Sequence, residues 1–157
     1  MIELTDIKET VATVLRSIPG VDVVNTYGYF PDTQAASVCV IMPPFRLQSN
    51  YGFIQPGSTE PDWQSHRFFV EFWVKDTGDP VVVDQTMTAL NTAAATTLLA
   101  NQLMTVGADQ IRLGWYDGGS ALDFRFEWEV YPEMMPPMQD GNAYLVATMT
   151  IPVTTVI

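Results

Sequence analysis

The chain has 157 residues, 47% of them apolar, which is enough for one domain over residues 1–157 with a hydrophobic core of its own. It carries 18 acidic and 7 basic residues, so its formal net charge is −11. A surface of this sign repels phosphate, which argues against groove binding to nucleic acid and against docking on an anionic membrane.

The N-terminal segment lacks the features of a secretion signal, because acidic residues occupy positions 3 and 6 and no apolar core follows them. Elsewhere no stretch approaches the roughly 18 uninterrupted apolar residues that a membrane span requires. One cysteine cannot form an internal disulfide, and Cys39 lies in an apolar run that is typical of a buried position. We expect a soluble protein that is made in a cytoplasm.

The first element in chain order is an amphipathic helix over residues 5–17. Thr5 is suited to the N-cap position, and apolar residues repeat at helical spacing until a Pro-Gly pair stops the helix. Two strands are predicted next, over residues 21–29 and 36–42. The second is apolar on both faces, which favours a central place in a sheet.

Residues 43–66 are predicted to be an irregular insertion, since prolines recur too often for a long helix or strand. A loop of this length in a compact domain is more often functional or disordered than filler. Its apolar groups fit an interface, and they fit equally well a loop that folds back over the edge of the core. Both alternatives stay open, and five residues are assigned to a candidate interface: Phe45, Tyr51, Phe53, Ile54 and Trp63.

A strand over residues 67–75 follows, with large apolar side chains on both of its faces. Asp79 and Pro80 then form a good N-cap and first-turn pair for a helix that runs to about Met104. Gly107 is expected just beyond the C-cap of this helix. The five threonines of the helix lower its intrinsic propensity, so packing has to hold it.

Residues 110–116 and 121–131 flank the sequence Asp-Gly-Gly-Ser, which predicts a β-hairpin. The second arm alternates between apolar and charged side chains, as expected for a strand that buries one face. A final strand is predicted over residues 143–151, and Pro152 marks its end or a sheet edge.

Two further apolar segments lie outside the predicted core elements, a second loop at residues 132–142 and a short uncharged tail at residues 153–157. Methionine side chains adapt to irregular surfaces, which suits contact with another protein. Five residues of these segments join the candidate interface: Met134, Met135, Met138, Val153 and Ile157.

Few residues are suited to catalysis. Glu127 and Glu129 lie two apart on a predicted strand, a spacing compatible with a carboxylate pair for glycoside hydrolysis, although a solvated strand face explains them as well. His66 is the only histidine, and no second histidine lies at metal-ligand spacing. The chain has no phosphate-binding glycine loop, nucleophile elbow or Rossmann fingerprint. We expect no enzyme activity, no cofactor and no metal site.

The order of these elements resembles that of the tail-terminator, or tail-completion, proteins of long-tailed phages. The resemblance covers most of residues 1–131 and rests on order and pattern. The segments that carry it are a helix ending in Ile18-Pro19-Gly20-Val21, a strand with Tyr27 before Pro31-Asp32, an apolar strand over 38–42 ending at Pro43, a Phe-rich strand over 68–74, a long helix, and a terminal antiparallel section.

The resemblance implies an α+β subunit with a mostly antiparallel sheet of about five to six strands packed against two helices. It implies a homo-oligomer, a hexameric ring that caps the tail tube and joins it to neck or head-completion proteins. Such a ring is part of the virion, is assembled in the host cytoplasm and performs no catalysis. Six copies with a formal charge of −11 would carry −66, so DNA would pass through the pore without specific binding.

Three alternatives remain at this point. The chain could be another neck or adaptor component of the head–tail junction. It could be an accessory module in which the aromatic loop binds protein or glycan. The third alternative is a small hydrolase that uses Glu127 and Glu129.

Overall fold

The structure is a computed structural model that describes residues 1–26, 37–42, 46–116, 122–123, 127–130 and 143–156. Its helices are α1 (Leu4–Arg16) and α2 (Pro80–Ala100). The strands of these ranges are β1 (Val23–Asn25), β2 (Val38–Ile41), β3 (Leu47–Gly52), β4 (Trp63–Lys75), β5 (Leu103–Val106), β6 (Asp109–Leu113), β7 (Trp115–Tyr116), β8 (Leu122–Asp123), β9 (Glu127–Val130) and β10 (Tyr144–Val156).

The main sheet is built on two long antiparallel strands. β4 and β10 each have 13 residues and pair along their whole length, from Trp63 opposite Val156 to Lys75 opposite Tyr144. β2 and β3 pair with opposite ends of β4, while β9 and β6 pair with successive parts of β10. β1 extends the sheet beyond β2 in parallel, and β5 extends it beyond β6 in antiparallel. β7 and β8 form a separate antiparallel pair.

Both helices pack on one face of the main sheet. Alternate residues of β4 (Phe68, Val70 and Phe72) are at most 3% exposed and share one core with the apolar sides of α1 and α2. The structure therefore confirms the predicted fold class, an α+β protein whose mostly antiparallel sheet packs against two helices. The opposite face of the sheet holds a smaller buried cluster: Cys39, Ile41, Trp73, Tyr144 and Val146.

The two helices begin differently. For α2 the predicted cap is confirmed, because the Asp79 carboxylate accepts a hydrogen bond from the Val81 backbone N–H at 3.0 Å and Pro80 takes the first position. For α1 the predicted cap is wrong by two residues. Glu3, rather than Thr5, occupies the N-cap position, and its side chain makes no capping hydrogen bond.

α2 ends earlier than predicted. It stops at Ala100, and Met104 already belongs to β5, where it pairs with Ile111 across the β5–β6 hairpin. Gly107 lies in the turn of that hairpin with a φ of 60°, a left-handed conformation that glycine adopts at low cost. The same glycine signal thus marks a hairpin turn instead of the end of a helix.

The prediction of an irregular insertion over residues 43–66 is wrong for much of its described length. β3 runs through this segment and pairs with β4 in register, from Leu47 opposite Phe68 to Gly52 opposite Trp63. The prolines beyond Gly52 lie in the connection between the two strands and leave both arms free to pair. Pairing with the long strand β4 offsets the weak intrinsic strand propensity of β3.

β10 continues past Pro152, which was predicted to end the strand or lie at an edge. The Pro152 carbonyl accepts a hydrogen bond from the Gly114 backbone N–H at 2.9 Å, on the β6 side of the strand. In an antiparallel strand the N–H and C=O of one residue point to the same side, so the donor that proline lacks faces away from β4. On that side of β10 the pairing with β9 ends at Thr150 and the pairing with β6 begins at Val153. Pro152 lies between the two, where the missing N–H interrupts neither pairing.

The predicted hairpin around residues 117–120 is supported by its described arms, since Trp115 pairs with Asp123 and Tyr116 with Leu122. The turn itself, residues 124–126 and the second loop at residues 132–142 lie outside the described residues. Neither described helix combines the length and the apolar character that crossing a bilayer requires.

Candidate interaction surfaces

Three of the predicted interface residues lie together at the end of β3 and in the connection that follows it. Tyr51 is 44%, Phe53 55% and Ile54 77% exposed. We call residues 51–54 the tip surface. The sequence from residue 47 to residue 59 contains no Asp, Glu, Lys, Arg or His, so none of the side chains of the tip surface is charged.

Backbone hydrogen bonds hold the connection that carries the tip surface. The Asp62 backbone N–H donates to the Gly52 carbonyl at 2.7 Å, and the Asp62 carboxylate accepts a hydrogen bond from the Ile54 backbone N–H. Further along, the Ser58 N–H donates to the Gln55 carbonyl at 3.1 Å. The exposed apolar side chains therefore stand on an ordered turn, which reduces the entropy lost when they contact a partner.

Trp63, also assigned to the candidate interface, is half-buried at the start of β4. Its indole packs over Gly52, the residue opposite it on β3, and a Cβ atom at Gly52 would overlap the indole ring. An aromatic ring laid over a cross-strand glycine covers backbone that would otherwise face solvent. The buried part of the Trp63 side chain thus stabilises the tip surface through a contact within the subunit.

His66 is fully buried behind the tip surface, and Tyr51 contacts it edge-on with ring centroids 5.7 Å apart. Nε2 of His66 lies 3.1 Å from Gln64 Oε1, which can only accept, so Nε2 carries the proton. Nδ1 then accepts from the Ser49 hydroxyl at 2.8 Å. Burial lowers the pKa of His66, which keeps the ring neutral.

The Ser49–His66 hydrogen bond has the geometry of a nucleophile and its base, but its surroundings do not suit that chemistry. The third group, Gln64, is a neutral amide and cannot stabilise an imidazolium as the carboxylate of a catalytic triad does. The imidazole is also fully buried, which disfavours its charged form. These hydrogen bonds join β3 to β4, and the Tyr51 ring packs against the imidazole that they fix in place.

A polar cavity of about 210 Å³ lies beside this network. Gln64 and Thr155 face it from adjacent strands; each is at most 2% exposed, and Gln64 Nε2 and Thr155 Oγ1 have no hydrogen-bond partner among the described residues. The cavity is large enough for ordered water that would satisfy both groups. Its other walls are formed by Met1, Ile2, Glu60, Asp109 and Gln110.

Sequence reasoning missed a second uncharged surface, on the outer side of α2. The buried residues of this helix all lie on one side. The opposite side is exposed along its whole length, where a surface helix usually carries several charged residues, and the exposed Asp84 is the only charged residue of this helix. The available signal was the absence of any charged residue from 85 to 108. We call this side the α2 outer stripe: Val81, Gln85, Thr88, Thr92, Thr96 and Leu99.

The prediction that Val153 lies in an apolar tail outside the core is wrong. Val153 is 0% exposed and belongs to the main core, because β10 continues through Pro152 and carries it between β4 and β6. The side chains of Glu127 and Glu129 on β9 lie outside the described structure. Five further predicted interface residues lie outside the described residues: Phe45, Met134, Met135, Met138 and Ile157.

Within the described part of the chain, no group of three or more His, Cys, Asp and Glu side chains could hold a metal ion. Comparison with protein-family models and with curated proteins finds no match for this sequence. The candidate site consists of two surfaces whose own side chains are uncharged, the tip surface and the α2 outer stripe.

Proposed function

We propose that this chain is a structural protein of a long-tailed phage virion, a tail terminator that forms a ring, caps the tail tube and joins it to the head or neck. The observation that carries the proposal is the tip surface. Phe53 and Ile54 are exposed on an ordered connection, in an uncharged segment of a chain with a net charge of −11. Apolar surface of this kind favours contact with another protein.

The order of elements supports the same proposal. α1, the strands up to the Phe-rich β4, the long helix α2 and the antiparallel strands after it follow one another along the chain. This is the order on which the resemblance to tail-terminator proteins rests. The proposed ring contacts the tail tube protein on one side and neck or head-completion proteins on the other, and DNA passes through it without specific binding.

The proposal assigns no bond-making chemistry to the subunit. His66, the single histidine, is buried, neutral and occupied by hydrogen bonds to Ser49 and Gln64. Its role within this proposal is to hold the strand that presents the tip surface. We propose no cofactor for the same function.

Native mass spectrometry and negative-stain microscopy of the purified protein, alone and with tail tubes, test the proposal. We expect a ring in solution or on tube ends. Phe53→Asp should abolish it while the circular dichroism spectrum stays unchanged, because a charge at the contact would be buried without a partner. Thr59→Asp, an exposed substitution in the same connection, is the matched control and should assemble normally.

Two alternatives make different predictions in the same experiment. The exposed aromatic rings of Tyr51 and Phe53 also suit an accessory module that binds protein or glycan, and a strict monomer that binds glycans would favour that function. A ring that binds the neck and ignores tube ends would favour another neck or adaptor component. A monomer that binds neither tubes nor glycans would contradict both the ring and the glycan-binding module.

A further inference from the structure

We propose that the α2 outer stripe of one copy binds the tip surface of a second copy, so that neighbouring subunits meet head to tail. This inference rests on the proposed ring and names the two surfaces that meet in it. Three properties of these surfaces support it: their charge, the size of their side chains and their separate positions on the subunit.

Charge determines where a second copy can bind. Each copy carries a net charge of −11, so two copies repel over most of their surfaces. The repulsion is weakest where the two surfaces carry the fewest charged side chains. Residues 47–59 contain no charged side chain, and the only charged residue of α2 is Asp84, which is exposed beside the start of the α2 outer stripe. The Asp62 carboxylate next to the tip surface accepts a hydrogen bond from the Ile54 backbone N–H. A basic partner would be attracted to the acidic parts of the surface, whereas these two surfaces offer it no electrostatic advantage.

The side chains of the two surfaces differ in size in a complementary way. The tip surface presents two large apolar groups, Phe53 and Ile54, which are 55% and 77% exposed. The middle of the α2 outer stripe consists of threonines, whose short side chains let large groups approach the helix closely. The Thr92 hydroxyl bonds to the Thr88 carbonyl at 3.4 Å, so it is turned toward the helix backbone. Apolar residues bound the stripe at both ends, Val81 at 60% and Leu99 at 50% exposure.

The positions of the two surfaces allow one subunit to use both at once. The tip surface lies at the end of β3, on the β2 side of β4, while the α2 outer stripe lies on the side of α2 opposite its buried residues. A contact between two different surfaces can repeat from copy to copy and close into a ring. A contact of tip surface with tip surface would stop at a dimer.

Disulfide trapping between two single-cysteine variants tests this contact directly. Ile54→Cys and Thr92→Cys, each in a Cys39→Ala background, are mixed in equal amounts, oxidised and separated by non-reducing electrophoresis. We expect a mixed disulfide between the two variants and little of either like pair, and the double variant should form a ladder of covalent oligomers. The same preparations are examined by native mass spectrometry before oxidation.

The outcomes separate this inference from the proposed function. Rings in which only two copies of the same cysteine variant become cross-linked, or in which no cross-link forms, would overturn the head-to-tail contact. They would not contradict the proposed ring. Monomers at every concentration would contradict both. The circular dichroism spectrum of each variant shows whether it is folded.

A charge substitution with a matched control provides a second test. Thr92 and Thr13 are both exposed helical threonines whose hydroxyl bonds to the carbonyl four residues earlier. Thr92→Arg should weaken self-association about tenfold or more, because it places an unpaired charge in the contact, while Thr13→Arg should leave it unchanged. Equal effects of the two variants would overturn the inference. So would a Thr92→Arg ring that forms normally but no longer binds tube ends, since the stripe would then serve the tube protein.

Discussion

At the scale of single residues, His66 links stability to pH. Burial lowers the pKa of His66 below the ordinary value of about 6.5. The unfolded chain therefore binds this proton more readily than the folded one, and the effect appears only below about pH 6.5. Lowering the pH from about 7 to about 5 should reduce the free energy of unfolding of the wild type relative to that of His66→Gln. Urea denaturation at a series of pH values measures the difference.

The glutamine variant is a suitable control for this experiment, because its amide keeps a hydrogen-bonding group beside Ser49 and cannot titrate in this range. Comparing the two proteins also cancels the contributions of the acidic residues that they share. If the free energy of unfolding of both proteins depended on pH in the same way, the pKa of His66 would be the same in the folded and unfolded states, contrary to this prediction.

Gly52 gives a second prediction at this scale. Gly52→Ala should destabilise the protein by about 1–3 kcal/mol, because the added methyl group would overlap the Trp63 indole. Chemical denaturation of the single variants and of the double variant with Trp63→Ala forms a mutant cycle. In the Trp63→Ala background the cost of Gly52→Ala should largely disappear, since the overlapping ring is gone. Additive costs would show that the glycine is needed for another reason.

At the scale of elements, the Asp79 cap makes a separable contribution to α2. Asp79→Ala should lower the free energy of unfolding by about 1 kcal/mol, because the Val81 N–H loses its side-chain acceptor. Asp79→Asn keeps an acceptor oxygen and should retain most of the stability. Thermal or urea denaturation distinguishes the two variants. If both lost the same amount, the negative charge at the helix N-terminus, rather than the hydrogen bond, would account for the effect.

The sequence predicted correctly those features that depend on neighbouring residues in the chain. Features that depend on pairing between distant strands were not predicted. The start of α2 follows from Asp79 and Pro80, whose capping and φ preference act within one turn. β3 has a polar sequence and becomes a strand because β4 lies beside it. The extension of β10 past Pro152 likewise depends on β4 and on the change from β9 to β6, partners that are distant in sequence.

At the scale of the whole molecule, the candidate site was predicted in part. Apolar residues beside prolines marked Phe53 and Ile54 as interface candidates but left open whether they fold back over the core, and the structure shows that both are exposed. Val153 was misplaced because its burial depends on the course of β10 through the sheet. The α2 outer stripe was missed because helical spacing indicates which side of a helix is apolar, whereas only the tertiary structure shows that nothing in the subunit covers the opposite side.

The net charge of −11 gives a prediction about assembly that belongs to the whole molecule. If copies meet through uncharged surfaces, salt screens their mutual repulsion without weakening the contact itself. Between about 0.01 M and about 0.15 M salt the screening length falls from about 30 Å to about 8 Å, so self-association should strengthen. Sedimentation velocity over a range of protein concentrations measures the strength of self-association at each salt concentration.

Ile54→Ser should weaken association at every salt concentration but keep the same salt dependence, because it removes apolar area and leaves the charge unchanged. Association that weakened with added salt would show that ion pairs hold the copies together, and the two uncharged surfaces would then not be where they meet.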